Sequence, residues 1–340
     1  MKRLLRGGVL LALALVALVM VACGGSDNDN GSDSGSNTAK DSSGSDQVDL
    51  TQGSGLKFAM VTHSDEGSFW SVVKKGAQQA AKDAGVELTW SPSNNDPQKE
   101  AQLIDAAVSQ KVDGLAVSVP NADAIKGSLQ KASDAGIPII TLNSGLDDYK
   151  ALGAITHVGQ TETLAGEAAG AKFKAAGVQK VLCVIHEQNN IGLQQRCDGV
   201  KQGFGGDVTD LQVKGTADIA TTQTEIRSKL QADKSFDGVI ALNPDIASAA
   251  KSAIKGASSN AKLATFDLTP SVLKDIDAGN VEFAVDQQQY LQGYLPIVFL
   301  KLFRQNANTV GGGQPVLTGP GFVDKSNVST VQKLAEAGTR

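Results

Sequence analysis

The chain has 340 residues, 41% of them hydrophobic, and a formal net charge of −5. Acidic and basic residues are interspersed along it, so no basic patch or tail marks a DNA- or RNA-binding protein. Past the N-terminal 55 residues roughly 285 remain, enough for about two domains with a sizeable core.

Lys2, Arg3 and Arg6 precede an unbroken apolar run from Val9 to Ala22. That pattern predicts a secretory signal over residues 1–22, and the run is too short for a comfortable transmembrane helix. It ends in Met20-Val21-Ala22-Cys23, which resembles the bacterial lipobox with Met20 in place of the usual Leu. Cys23 is then expected to be acylated, to become the mature N-terminus and to hold the protein on the outer face of the cytoplasmic membrane. From Gly24 to Gly55 the apolar residues are Ala39, Val48 and Leu50, in a background of Gly, Ser, Asp and Asn. A segment so poor in apolar surface cannot order itself, so residues 23–55 are read as a flexible tether.

The body opens with a β-type run at 57–61, followed by an amphipathic stretch from Phe69 to Ala84. A second run at 114–118, a stretch from Ala122 to Ala135 and a third run at 137–141 repeat the rhythm, which returns at 180–185, 236–242 and 262–266. Strand-like runs alternating with helical stretches argue for βαβ units and parallel sheets covered by helices.

The rhythm is also an internal repeat. His63 and Gly76 are matched 123 residues later by His186 and Gly199, and Asp113-Gly114 and Asn143 are matched 124 residues later by Asp237-Gly238 and Asp267. Two similar α/β lobes follow, each a doubly wound parallel sheet. The first is expected over 56–159 plus 288–317 and the second over 160–287 plus 318–340, joined by a hinge of several segments near Gly159-Gln160, Asp286 to Gln288 and Thr318 to Phe322. Ligands of open α/β sheets lie beyond the carboxyl ends of the strands. Those ends hand over to Ser64 to Trp70, Asn143-Ser144, His186 to Asn190, Asn243 and Asp267, all polar or aromatic. Facing lobes with such edges would make a small-molecule cleft.

Ser68-Phe69-Trp70 before Lys75-Gly76-Ala77, Gly136 to Asn143, Phe266-Asp267, and Asp286-Gln287-Gln288 leading to Gly293-Tyr294 occur in this order. Together they resemble the type I periplasmic sugar-binding proteins of ABC importers, the family of the ribose-, galactose- and allose-binding proteins, over about Leu56 to Val323. The resemblance implies that Phe69 and Trp70 stack on a sugar ring, and that Asn143 and Ser144 stand where ribose-binding members have an Asp-Arg pair. It implies that Arg196, Asn243, Asp267 and Gln287 complete a hydrogen-bonding cage, with Thr161 at a position that is often Asp. The departures at Asn143, Ser144 and Thr161 remove charge from the first-lobe side and argue against assuming ribose. The expected ligand is a sugar or sugar alcohol, delivered by a monomer to a separate permease in the membrane. Runner-up ligands are a nucleoside or a furanose-like signalling molecule, and a ligand-presenting sensor role is compatible with the same fold.

A Phe69-Trp70 pair can instead be core, Asn243 and Asp267 can be helix caps, and Arg196 a surface charge. The three histidines, His63, His157 and His186, are too scattered for a zinc pattern, and His186-Glu187 lacks the second histidine of His-Glu-x-x-His. No Gly-x-Ser-x-Gly elbow and no phosphate-binding Gly-rich turn follows the first strand, so neither an enzyme nor a cofactor or metal is expected. A sugar-responsive repressor would need a helix-turn-helix before Leu56, where the signal and tether stand. Cys183 and Cys197, the two cysteines outside the lipobox, are expected to pair because exported chains meet oxidising conditions; the alternative is two separately buried thiols.

Overall fold

The computed structural model describes residues 55–340. The signal, Cys23 and all but the last residue of the tether lie outside the described residues. Among the described residues no helix is long and apolar enough to cross a membrane.

The chain first lays down β1 (Lys57–Thr62), α1 (Gly67–Ala84), β2 (Glu87–Pro92), α2 (Pro97–Ser109), β3 (Gly114–Ser118), α3 (Ala122–Asp134), β4 (Ile139–Asn143) and β5 (Thr156–Gln160). It continues through α4 (Glu162–Ala175), β6 (Lys180–Ile185), α5 (Ile191–Phe204), β7 (Asp207–Gln212), α6 (Ile219–Ala232), β8 (Gly238–Ala241), α7 (Pro244–Gly256), β9 (Lys262–Phe266), α8 (Pro270–Asp277) and β10 (Phe283–Asp286). It ends with α9 (Gln289–Asn306), β11 (Val316–Gly319), β12 (Gly321–Asp324) and α10 (Val328–Glu336).

Two six-stranded sheets result, in the orders β11-β5-β4-β3-β1-β2 and β12-β10-β9-β8-β6-β7. All pairings are parallel but one, the antiparallel β10–β12 ladder. Inner strands such as β3, β4 and β8 are buried along their whole length, because helices cover both faces of a parallel sheet. Each sheet carries an apolar cluster on either face, exemplified by Met60 and Ile297 against Val61 and Ile104 in the first lobe. Leu182 and Ile246 against Cys183 and Phe266 play the same parts in the second.

The chain crosses between lobes three times, after β5, after β10, and between β11 and β12 at Gly319-Pro320-Gly321. Each of the first two crossings carries a helix over to the opposite lobe. There α4 packs on α5 and α9 on α1, with backbones close enough that glycine is needed at the seam. A Cβ on Gly199 would lie 2.1 Å from the Thr163 carbonyl, and one on Gly76 2.1 Å from the Tyr290 carbonyl. The two glycines of the 123-residue repeat thus do the same work in both lobes.

Cys183 on β6 and Cys197 on α5 form a disulfide with their Cα atoms 5.9 Å apart. Among the described residues, Cys183, Cys197 and Asp210 are the donors grouped tightly enough for a metal, and both sulfurs are engaged in the disulfide.

Candidate functional site

The carboxyl ends of the two sheets face each other across a cleft lined by Phe69, Trp70, Asn143, Arg196, Asn243, Asp267 and Gln287 together with other residues. Asn143 closes β4 and Asp267 follows β9, and both have left-handed backbones, φ 60° and 68°. After glycine, short polar side chains such as Asn and Asp tolerate that conformation best. The turn aims both side chains into the cleft instead of along the sheet, at matched places of the repeat.

Asp267 is 2% exposed and accepts a 2.7 Å hydrogen bond from Gln287 Nε2. Burial pushes its carboxyl up to about 7, against the opposing pull of Arg196 and Gln287. It does not cap the next helix, because Thr269 Oγ1 accepts from the Val272 N–H. Asn243 does both jobs: it lines the cleft, and its Oδ1 accepts from the Asp245 N–H at 2.8 Å.

Arg196, on α5, is buried beside Glu162, the first residue of α4. Its Nε and Nη2 donate to the two Glu162 oxygens at 2.6 and 3.1 Å, and Nη1 donates to the Leu242 carbonyl at 3.2 Å. The guanidinium lies 4.5 Å over the Phe266 ring. Burial pulls Arg196 down, but the Glu162 carboxylate outweighs it and the net shift is upward. Removing one partner of a buried pair leaves an uncompensated charge, at a cost of about 3–5 kcal/mol, so Glu162 positions Arg196 and neutralises it.

Side-chain amides link the lobes through the hinge. Asn143 Nδ2 donates to Gln292 Oε1 at 3.3 Å, Gln292 Nε2 to Gln287 Oε1 at 2.9 Å, and Gln287 Nε2 to Asp267 Oδ1 at 2.7 Å. Phe69 and Trp70 are also first-lobe core: they meet edge to face, 5.1 Å between centroids, and Trp70 touches His63 and Trp90. Their remaining edges give the cleft its apolar wall.

The lobes also touch directly. Asp245 of the second lobe accepts from the Ser68 N–H at 3.2 Å, at the start of α1, where Glu66 makes no capping bond with its own side chain. Thr216 Oγ1 donates to Glu66 at 3.3 Å, and the Ile191 N–H to the Pro120 carbonyl at 3.3 Å. The cleft is closed.

A family model for the periplasmic binding protein domain matches residues 58–305. The chain belongs to the type I periplasmic sugar-binding proteins. It is a binding protein and not an enzyme, it works outside the cytoplasm, and its family serves ABC importers. A solved carbohydrate transporter from Acidothermus cellulolyticus 11B, in complex with myo-inositol, is 46% identical at a TM-score of 0.82, covering 84% of this chain and 100% of that one. The xylose/arabinose-binding protein of Sulfolobus acidocaldarius is 26% identical over 80% of this chain and 72% of its own length. The ribose import binding protein of Haemophilus influenzae is 25% identical over 71% and 82%.

Two further residues that the resemblance implied for the site, Thr161 and Ser144, lie beside this cleft. Thr161 sits at the entry to α4 and makes no capping bond, and its neighbour Glu162 reaches Arg196 instead. Ser144 lies one layer back, donating to Asn143 Oδ1 at 3.1 Å and to Asn190 Oδ1 at 3.4 Å. Neither Thr161 nor Ser144 is among the residues that line the cleft in its closed form. The wall also includes His63, Glu66, His186, Glu187, Asn190 and Thr216. His186 to Asn190 carried a signal, a polar run at a strand end, whereas Thr216 carried none.

Proposed function

We propose that this protein captures a neutral polyol, a sugar or a sugar alcohol, between its lobes and presents the closed form to an ABC permease. The observation that carries this is the charge balance of the wall. Arg196 is neutralised by Glu162, Asp267 is pushed up to about 7, and Asn143, Asn243 and Gln287 offer both donors and acceptors. At Arg196 and Asp267 a charged ligand would find no uncompensated partner, whereas hydroxyls are met from several sides and the C–H face of a ring is met by Phe69 and Trp70. The bound myo-inositol of the 46% identical relative makes a cyclitol the first ligand to try. A monomer, held to the membrane by a lipid on Cys23 and hinged at the three crossings, completes the proposal.

Thermal melting against pentoses, hexoses, cyclitols and nucleosides tests it. A cognate ligand at about 100 times its Kd stabilises the fold by about 2.7 kcal/mol, a shift of several degrees, and Asp267→Ala abolishes that shift. No shift with any member of the panel refutes the reading. Mass spectrometry of the native protein should find a diacylated Cys23 at the N-terminus, and an unmodified mature end would remove the anchor.

A further inference from the structure

Beside the inner cleft lies a second, larger chamber, and His63, His186, Glu187 and Asn190 line both. The first lobe contributes Asn95, Pro97, Glu100 and Pro120 to it, and the second His186 to Asn190, Val213 and Lys214. Gln188, Asn189 and Lys214 are exposed, so the chamber opens to solvent on that side. At the partition His63 Nε2 faces Glu187 Oε2 at 3.6 Å, while His63 Nδ1 is held by Ser118 Oγ at 2.8 Å.

The inner wall of this vestibule is hydrogen-bonding and mostly uncharged. Glu100 is 1% exposed and its Oε1 has no hydrogen-bond partner; burial raises it to about 8, so at neutral pH it is a carboxylic acid that donates and accepts. His186 Nδ1 is likewise without a partner, and burial pulls that imidazole down, leaving it neutral with one donor and one acceptor. Glu187 is the charged member; burial alone would raise it, but hydrogen bonds from His63 and Asn190 outweigh that and hold it at about 2. An anionic group such as a phosphate would face Glu187 and find a cation only at the exposed rim, in Lys214. Hydroxyls suit the wall, and Pro97, Pro120 and Val213 supply apolar contact for a ring face.

We propose that the vestibule is a second sugar subsite, so that the ligand class extends from a single ring to an O-glycoside whose second ring lies against Glu100 and His186, the linkage passing the His63–Glu187 pair. This inference rests on the polyol reading of the inner site. Isothermal calorimetry with two pairs of probes, myo-inositol against its galactoside galactinol and D-xylose against xylobiose, separates the two. In at least one pair the glycoside should bind about ten-fold more tightly than the free ring. Glu100→Leu should reduce that gain to about two-fold or less and leave the free ring's affinity unchanged; Gln188→Trp, at an exposed position that tolerates change, should block the glycoside alone. Free rings that bind while their glycosides bind no better, or not at all, overturn the subsite and leave the polyol reading standing. If neither rings nor glycosides bind, both fall.

Discussion

Asp267 concentrates the chemistry of the inner site in one side chain. Its folded-state value of about 7 lies above the ordinary 3.8, so between these pH values the folded protein binds more protons than the unfolded chain and stability falls as pH rises. Asp267→Asn removes that slope. Melting of the unliganded proteins from about pH 4 to about pH 7 should show the variant gaining on the parent throughout, by up to a few kcal/mol at about 1.4 kcal/mol per unit; parallel pH profiles would show that the carboxyl titrates normally. Asn143, Arg196, Asn243, Asp267 and Gln287 were legible in the sequence because each stands at a strand end, on the following helix or in the hinge, at a place the repeat or the family resemblance marks. Glu162 was not, because its role exists only in the bond to Arg196, 34 residues away, and helix propensity alone explains a Glu in a first turn.

At the scale of elements, the central strands were readable, while the edges and their neighbours β5 and β10 were not. Runs such as 114–118 and 262–266 are mostly apolar and almost wholly buried because helices cover both of their faces. The edge strands β2 and β7, Glu87–Pro92 and Asp207–Gln212, are half exposed, and β7 carries Asp207 and Asp210, so no apolar run announces them. Antiparallel β12 was equally hidden, since only its ladder with β10 defines it. The helix seams give a sharper test. Gly199→Ala would press a methyl into the Thr163 carbonyl and should cost about 1–3 kcal/mol, whereas Gly127→Ala, inside α3 with open space around it, should gain about 0.5–1 kcal/mol. Denaturant melts of the two variants check this contrast, and equal effects would mean that the seam yields.

For the whole molecule, closure is a matter of contacts that one lobe lends the other. Asp245 is in reach of the Ser68 N–H and hydroxyl only when the lobes meet, so Asp245→Ala favours the open form. Ligand affinity should drop about five- to ten-fold, mainly through faster release in stopped-flow, while the unliganded radius of gyration rises in small-angle scattering; unchanged release would show that the ligand alone holds the lobes shut. The crossing helices carry a different consequence, for the order in which the chain can mature. The first lobe lacks its seam helix α9 and its edge strand β11 until residue 319 is available. Neither half can therefore finish ahead of the other as the chain is synthesised or threaded across a membrane. A fragment ending at Gln160 should remain open to protease, and both halves should become resistant together once the segment from Gln289 to Asp324 is present.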